Sequence, residues 1–251
     1  LKKAALHKKW NKLGVAGYGL IPAELYNNIR TALPGVAVTP TELLNKLKSK
    51  KSAADVEMMT QAAKITDLAM DAIRDALLSG SRTESELAAI ANYTMMKAGA
   101  EGPAFDTMIQ SGPNSWRNLR RPTDRVIKPG DVILIDVGAR YKGYACDIGR
   151  GVCFGEVDPR AKEMLLTAIK AFEAGVAAVK PGIRAAEIDE AVRQVFRDAD
   201  CEQYYTEASG HGVGHDPEEE IPFIIPGADC IIEKDMTLVV KSALMIPGVG
   251  G

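Results

Sequence analysis

The segment DVILIDVGARYKGYACDIGRGVCF, residues 131–154, constrains the fold more than any other part of the chain. An apolar run ends on Asp136, and a second aspartate, Asp147, follows eleven positions later. The residues between them read as a hairpin. A two-residue turn at Tyr141-Lys142 sets Asp136 directly opposite Asp147, with both side chains on one face. Directly opposed like charges destabilise a sheet, and a carboxylate closing an apolar strand is costly unless something pairs with it. A divalent cation between the two resolves both problems, because hard carboxylate oxygens suit it. Taken alone, the pair also reads as one turn-capping and one solvated aspartate.

A second stretch points the same way. SGHGVGHDPEEEIP, residues 209–222, holds two of the three histidines, His211 and His215. Glycines at 210, 212 and 214 let the backbone pass close to a neighbour. Imidazole is a frequent metal ligand in mixed sites. In isolation the stretch reads as a glycine-rich loop with surface histidines and a solvated acidic end; the aspartate hairpin favours the ligand reading.

Periodicity places helices around these segments. Residues 53–79 carry apolar side chains at helical spacing, and residues 83–100 open on Thr83 and Glu86, the pattern of a capping box. A second helical pair covers 158–179 and 184–200, parted by Pro181-Gly182. Strand candidates are 105–112, 131–139, 143–154, 230–233 and 236–246. The lysine-rich end of residues 15–52 reads as a linker. Strands alternating with helix pairs imply an α+β layer. The net charge of −2 gives no case for nucleic acid or an anionic membrane, and no apolar run is long enough to cross a bilayer. Four scattered cysteines without a CxxC pair read as reduced thiols of a cytoplasmic protein. The basic opening lacks the apolar centre of a signal peptide. Both ends of the chain read as cut.

The order of helix pair, GDVILIDVGARYKGYACDIGRGV, helix pair, GHGVG and KDMTLVV resembles the pita-bread fold of methionine aminopeptidase, aminopeptidase P, prolidase and creatinase. FDTMIQSGPNSWRNLRRPTDRVIKPGD is similar to the family's segment before the hairpin, and residues 20–59 resemble the end of the extra domain of the prolidase–creatinase branch. The resemblance implies an α+β fold with a curved, mainly antiparallel sheet covered by two helix pairs. Residues 1–48 would be the incomplete end of a creatinase-type N-terminal domain, and 49–251 a pita-bread catalytic domain lacking its last strands. It also implies a homodimer and a small-molecule or short-peptide substrate.

The metallopeptidase members of this family use five ligands around two divalent ions. Carried over, these place Asp136, Asp147 and His211 on metal positions. The strand of the first glutamate ligand puts Lys241 at that position, and the second glutamate falls beyond GVGG. The accessory histidine position holds Glu218, and an upstream histidine position holds Leu119. His215 offers a partial substitute in a different register. An ammonium donates but does not ligate while protonated. The expected cofactor is therefore one divalent ion (Mn, Zn, Co or Fe) or none, rather than two. Catalytic roles are expected for Glu218, His215 and Lys241, and substrate-facing ones for Glu219 and the Leu119 position. Glu218 suits a cationic substrate group. Three readings stand: a hydrolase of a C–N bond, amide or amidino, with an atypical centre; an ordinary dinuclear Xaa-Pro peptidase; and a catalytically silent binding protein.

Overall fold

The computed structural model describes residues 2–117 and 120–251. The chain divides into two compact units, Leu1–Lys48 and Ser49–Gly251. The first contains α1 (Lys2–Lys8), β1 (Lys12–Val15), α2 (Ala23–Ala32), β2 (Ala37–Pro40) and the start of α3 (Leu43–Ser49); β1 and β2 pair in parallel.

The second unit begins with two helices whose starts are written in the sequence. α4 (Ala53–Ser79) is capped by Ser52 and Asp55, and α5 (Glu84–Lys97) by Thr83 and Glu86, each as a reciprocal capping box. Gly80 ends α4 at φ 145°, a conformation that favours glycine. Ile65, Ala69 and Ile73 of α4 and Leu87, Ala91 and Met95 of α5 share one buried cluster. After them come β3 (Gly102–Pro103), β4 (Met108–Ser111), β5 (Val132–Val137), β6 (Ala139–Tyr141), β7 (Tyr144–Ala145) and β8 (Ile148–Cys153). The second helix pair, α6 (Pro159–Ala178) and α7 (Ala185–Asp198), precedes β9 (Gly210–Gly212), β10 (Glu219–Ile224) and β11 (Leu238–Val240). Three antiparallel sheets result, ordered β4-β5-β8, β3-β6-β7 and β10-β9-β11. The expected α+β arrangement of antiparallel strands with two helix pairs is the one observed.

β5 is buried along its whole length, and its alternation decides what it serves. Ile133, Ile135 and Val137 join the cluster of α4 and α5. Val132 joins the cluster of α6 and α7, while Leu134 and Asp136 line a cavity on that same face. The hairpin turn differs from expectation. Tyr141 pairs with Tyr144, so the turn is Lys142-Gly143, with φ of 48° and 82°. Two positive φ values match the strand twist, and a glycine at the second position makes them inexpensive. Asp136 consequently lies opposite Gly149, not Asp147.

Four further expectations are corrected. Residues 230–233 form no strand; only an isolated bridge joins Ile231 to Arg184. The strand expected over 236–246 is confined to β11. The acidic end of the GHGVG segment is strand β10 rather than a solvated loop, and Lys51, within the stretch read as a linker, is 5% exposed.

Candidate active site

Four chain segments meet at one cavity of about 910 Å³. β5 contributes Asp136, the break between β7 and β8 contributes Asp147, the loop before β9 contributes Glu207, and the residue after β11 is Lys241. α4 and α6 supply apolar walls through Val56, Met59, Leu165 and Phe172.

Two glycines permit the close approach. A Cβ on Gly138 would stand 1.9 Å from the Cys146 carbonyl oxygen, and one on Gly210 would stand 2.0 Å from that of Val239. Both positions exclude any side chain. At the first, the chain between β5 and β6 comes against Cys146, next to Asp147. At the second, β9 comes against β11 beside His211.

His211 is 1% exposed. Its Nδ1 lies 2.9 Å from the Gly212 carbonyl oxygen. In the tautomer with Nδ1–H donating there, Nε2 presents the lone pair with which imidazole ligates; in the other tautomer, Nε2–H points its proton to Asp147. Nε2 lies 3.4 Å from Asp147 Oδ2, and Lys241 Nζ lies 3.8 Å from the same oxygen. Burial would raise the Asp147 carboxyl, but His211 and the Lys241 charge beside it hold it below the usual carboxylate range. Asp136 moves the opposite way. Burial first, and then the Asp147 charge, push it up to about 7. Asp136 Oδ1, His211 Nε2 and Glu207 Oε1 are all buried without a hydrogen-bond partner among the described residues.

The remaining expected residues are scattered. Glu218 is exposed; the half-buried Glu207 carboxyl is raised first by its withdrawal from water, opposed by the Lys241 charge, and raised further by the Glu218 charge. Glu219, expected to face substrate, turns inward: Oε2 takes Lys51 Nζ at 2.5 Å and Oε1 takes the His215 backbone N–H at 3.0 Å. The His215 ring lies against Tyr144, with centroids 4.6 Å apart, and Tyr144 donates its hydroxyl hydrogen to Asp55. His215 is thus engaged away from the Asp136–Asp147 pair. Leu119 lies outside the described residues. Sequence reading missed Glu207 and Lys51. The signal for Glu207 was its place four residues before His211; Lys51 had none, since its partner is 168 positions away.

The backbone and the sequence both have relatives. A model of metallopeptidase family M24 matches residues 57–251. This chain belongs to metallopeptidase family M24. It is 32% identical over 210 residues to an Xaa-Pro dipeptidase of Pyrococcus furiosus, an alignment covering 84% of this chain and 60% of that protein. Among solved structures, the Xaa-Pro dipeptidase from Bacillus anthracis superposes with a TM-score of 0.91 at 28% identity, over 99% of this chain and 69% of that one. The prolidase from Pyrococcus furiosus gives 0.87 at 28%, over 96% and 70%. The chain thus spans about 60% of the length of the curated relative it matches. The likeness to these structures shows the pita-bread fold that the sequence motifs implied.

Within this M24 chain the donor set is divided. Asp136 Oδ1 and His211 Nε2 are bare buried donors of the kind a hard or borderline cation takes. Yet a lysine ammonium stands against Asp147, and no three His, Cys, Asp or Glu side chains among the described residues converge on one ion.

Proposed function

We propose that this chain is a hydrolase that cleaves a C–N bond, amide or amidino, in a small molecule or short peptide, with one divalent ion or none at its centre. The observation that carries this is Lys241 Nζ at 3.8 Å from Asp147 Oδ2. A second cation in that place would meet an ammonium rather than a ligand, so the residues do not fit an ion pair. Asp136, Asp147 and His211 are the residues that would hold a single ion once drawn together on it; the unpartnered Asp136 Oδ1 and His211 Nε2 support this. Such an ion, when bound, supplies a Lewis acid and an acidified water.

Other steps fall to the chain itself. Lys241 sets a fixed positive charge at the cavity, where negative charge developing on a substrate carbonyl oxygen or amidino nitrogen is stabilised without reorganisation. Glu218, exposed and outside the cavity lining but acting on Glu207, would exchange protons with a leaving nitrogen. The apolar walls of α4 and α6 exclude water and orient the substrate.

The relatives' names favour a second reading, an ordinary Xaa-Pro dipeptidase, for which the family resemblance implies two ions. Elemental analysis of the purified protein separates the two, run beside turnover of Xaa-Pro dipeptides and of amidino compounds. One ion or none per chain, with C–N hydrolysis, supports the proposal. About two ions per chain, with turnover of Xaa-Pro dipeptides, overturns it.

A further inference from the structure

The cavity carries one side chain for which this chemistry has no task. Glu207 sits between α7 and β9, and its Oε1 is buried without a hydrogen-bond partner among the described residues. The residue is not loosely held. Its carbonyl oxygen accepts from Arg193 Nη2 at 3.2 Å. Arg193 in turn pairs with buried Asp189 at 3.0 Å and lies over the Tyr205 ring at 4.8 Å. A carboxylate oxygen withdrawn from water and given no donor is costly. A ligand that brings its own N–H donors removes that cost.

The charge around it selects the ligand. The cavity lining sets Asp136, Asp147, Glu173 and Glu207 against Lys241 and Arg150. Arg150 and Glu173 are both exposed, and the Lys241 ammonium, 3.8 Å from Asp147, also acts on Glu207, which leaves the three inner carboxyls Asp136, Asp147 and Glu207 against one ammonium. Glu218 adds negative charge on the outer side of Glu207. Such a field draws in cations, and a buried carboxylate accepts from a guanidinium or ammonium with short, charge-assisted bonds.

We infer that Glu207 is a specificity residue that binds a cationic nitrogen group of the substrate, guanidinium or ammonium, next to the bond that is cleaved. The location of that bond rests on the hydrolase reading; the cation binding does not.

The probe is N-butylguanidinium against N-butylurea, which has the same shape and no charge. Both are titrated calorimetrically into the chelator-treated protein and into Glu207→Gln, with Glu207→Asp as the charge-retaining variant. The wild type should prefer the guanidinium by about tenfold or more. Glu207→Gln should abolish the preference and Glu207→Asp should keep part of it, with circular dichroism spectra and melting curves unchanged. Equal binding of the two compounds to the wild type overturns the proposal. So does a preference that survives Glu207→Gln. A loss of bound Mn²⁺ in Glu207→Gln with the guanidinium preference intact also overturns it, by making the residue a metal ligand. A protein that hydrolyses no C–N substrate yet keeps the Glu207-dependent preference defeats the hydrolase reading and leaves this one standing.

Discussion

Lys241 and His211 converge on one oxygen: Nζ lies 3.8 Å and Nε2 3.4 Å from Asp147 Oδ2. The two cannot serve alike. An imidazole nitrogen with a free lone pair can ligate, and an ammonium cannot. Lys241→Glu exchanges a donor for a ligand and turns a repulsive position into an attractive one. Bound divalent metal should rise by about one ion per chain relative to the wild type, read by elemental analysis after dialysis against trace metal. Lys241→Met, which removes the charge and adds no ligand, should not raise it to the same extent. Equal metal content in all three proteins would mean that Lys241 does not stand in an ion's place.

The Lys51–Glu219 pair is the deepest ion pair among the described residues, with side chains 1% and 3% exposed. Removing one partner leaves the other charged and dry, whereas removing both leaves neither. Lys51→Met should cost about 3–5 kcal/mol in urea unfolding. Adding Glu219→Gln to it should restore a large part of that loss. The pair ties the start of β10 to the residues before α4, so Lys51→Met should also disturb the β9–β10 ladder that carries His211. A cost no larger for the single than for the double variant would show that the charges are not coupled.

Much of this layout was legible in the sequence, and the failures share a cause. Helices α4 and α5 were readable because their signals are local: apolar spacing over residues 53–79, and the Thr83–Glu86 capping box. The aspartate strand was readable because an apolar run ending in a carboxylate is unusual. The turn was not placed, because Gly143 was passed over in favour of Tyr141-Lys142. That choice moved every cross-strand partner, and Asp136 faces Gly149 instead of Asp147. β10 was hidden because three successive glutamates look solvated. Glu219 is buried there only because Lys51 reaches it, and no local pattern announces such a partner. Glu207 escaped although it stands four residues before His211, because the partial burial that marks it out depends on how β9, β11 and α7 assemble.

Glu84 opens α5 yet is buried, and its carboxylate gathers donors from the segment between β4 and β5. Ser111 N and Oγ each lie 2.7 Å from Oε1, and Thr123 Oγ1 and N lie 2.6 and 3.0 Å from Oε2. Burial alone would raise this carboxyl; the bonds from Thr123, Ser111 and Asn114 outweigh it and hold it below the ordinary 4.5. A carboxyl depressed by folding stabilises the protein fully above its unfolded value, and this contribution is lost as pH falls through its folded value. Glu84→Gln should therefore lower stability by about 2 kcal/mol at neutral pH. The gap should stay level down to about pH 5 and close below it, as measured by chemical unfolding across pH. A gap that widens on acidification would contradict the sign argued here.

Gly138 tests whether the Asp136–Asp147 pair depends on backbone contact. Any Cβ at this position meets the Cys146 carbonyl oxygen at 1.9 Å and the Phe105 ring at 2.7 Å. The first obstacle is backbone and cannot rotate away, so Gly138→Ala must push the chain after β5 off the chain before β8. Asp136 and Asp147 sit at those two places and would separate with them. The loss should be about 3 kcal/mol or more in unfolding free energy. The comparison is Gly143→Asn at the hairpin tip. There φ is 82°, nothing lies within 4 Å of an added Cβ, and asparagine tolerates the left-handed region. Gly143→Asn should change stability by less than about 1 kcal/mol and leave divalent-ion binding intact. Similar effects from the two substitutions would locate the constraint in the turn rather than in the contact between Gly138 and Cys146.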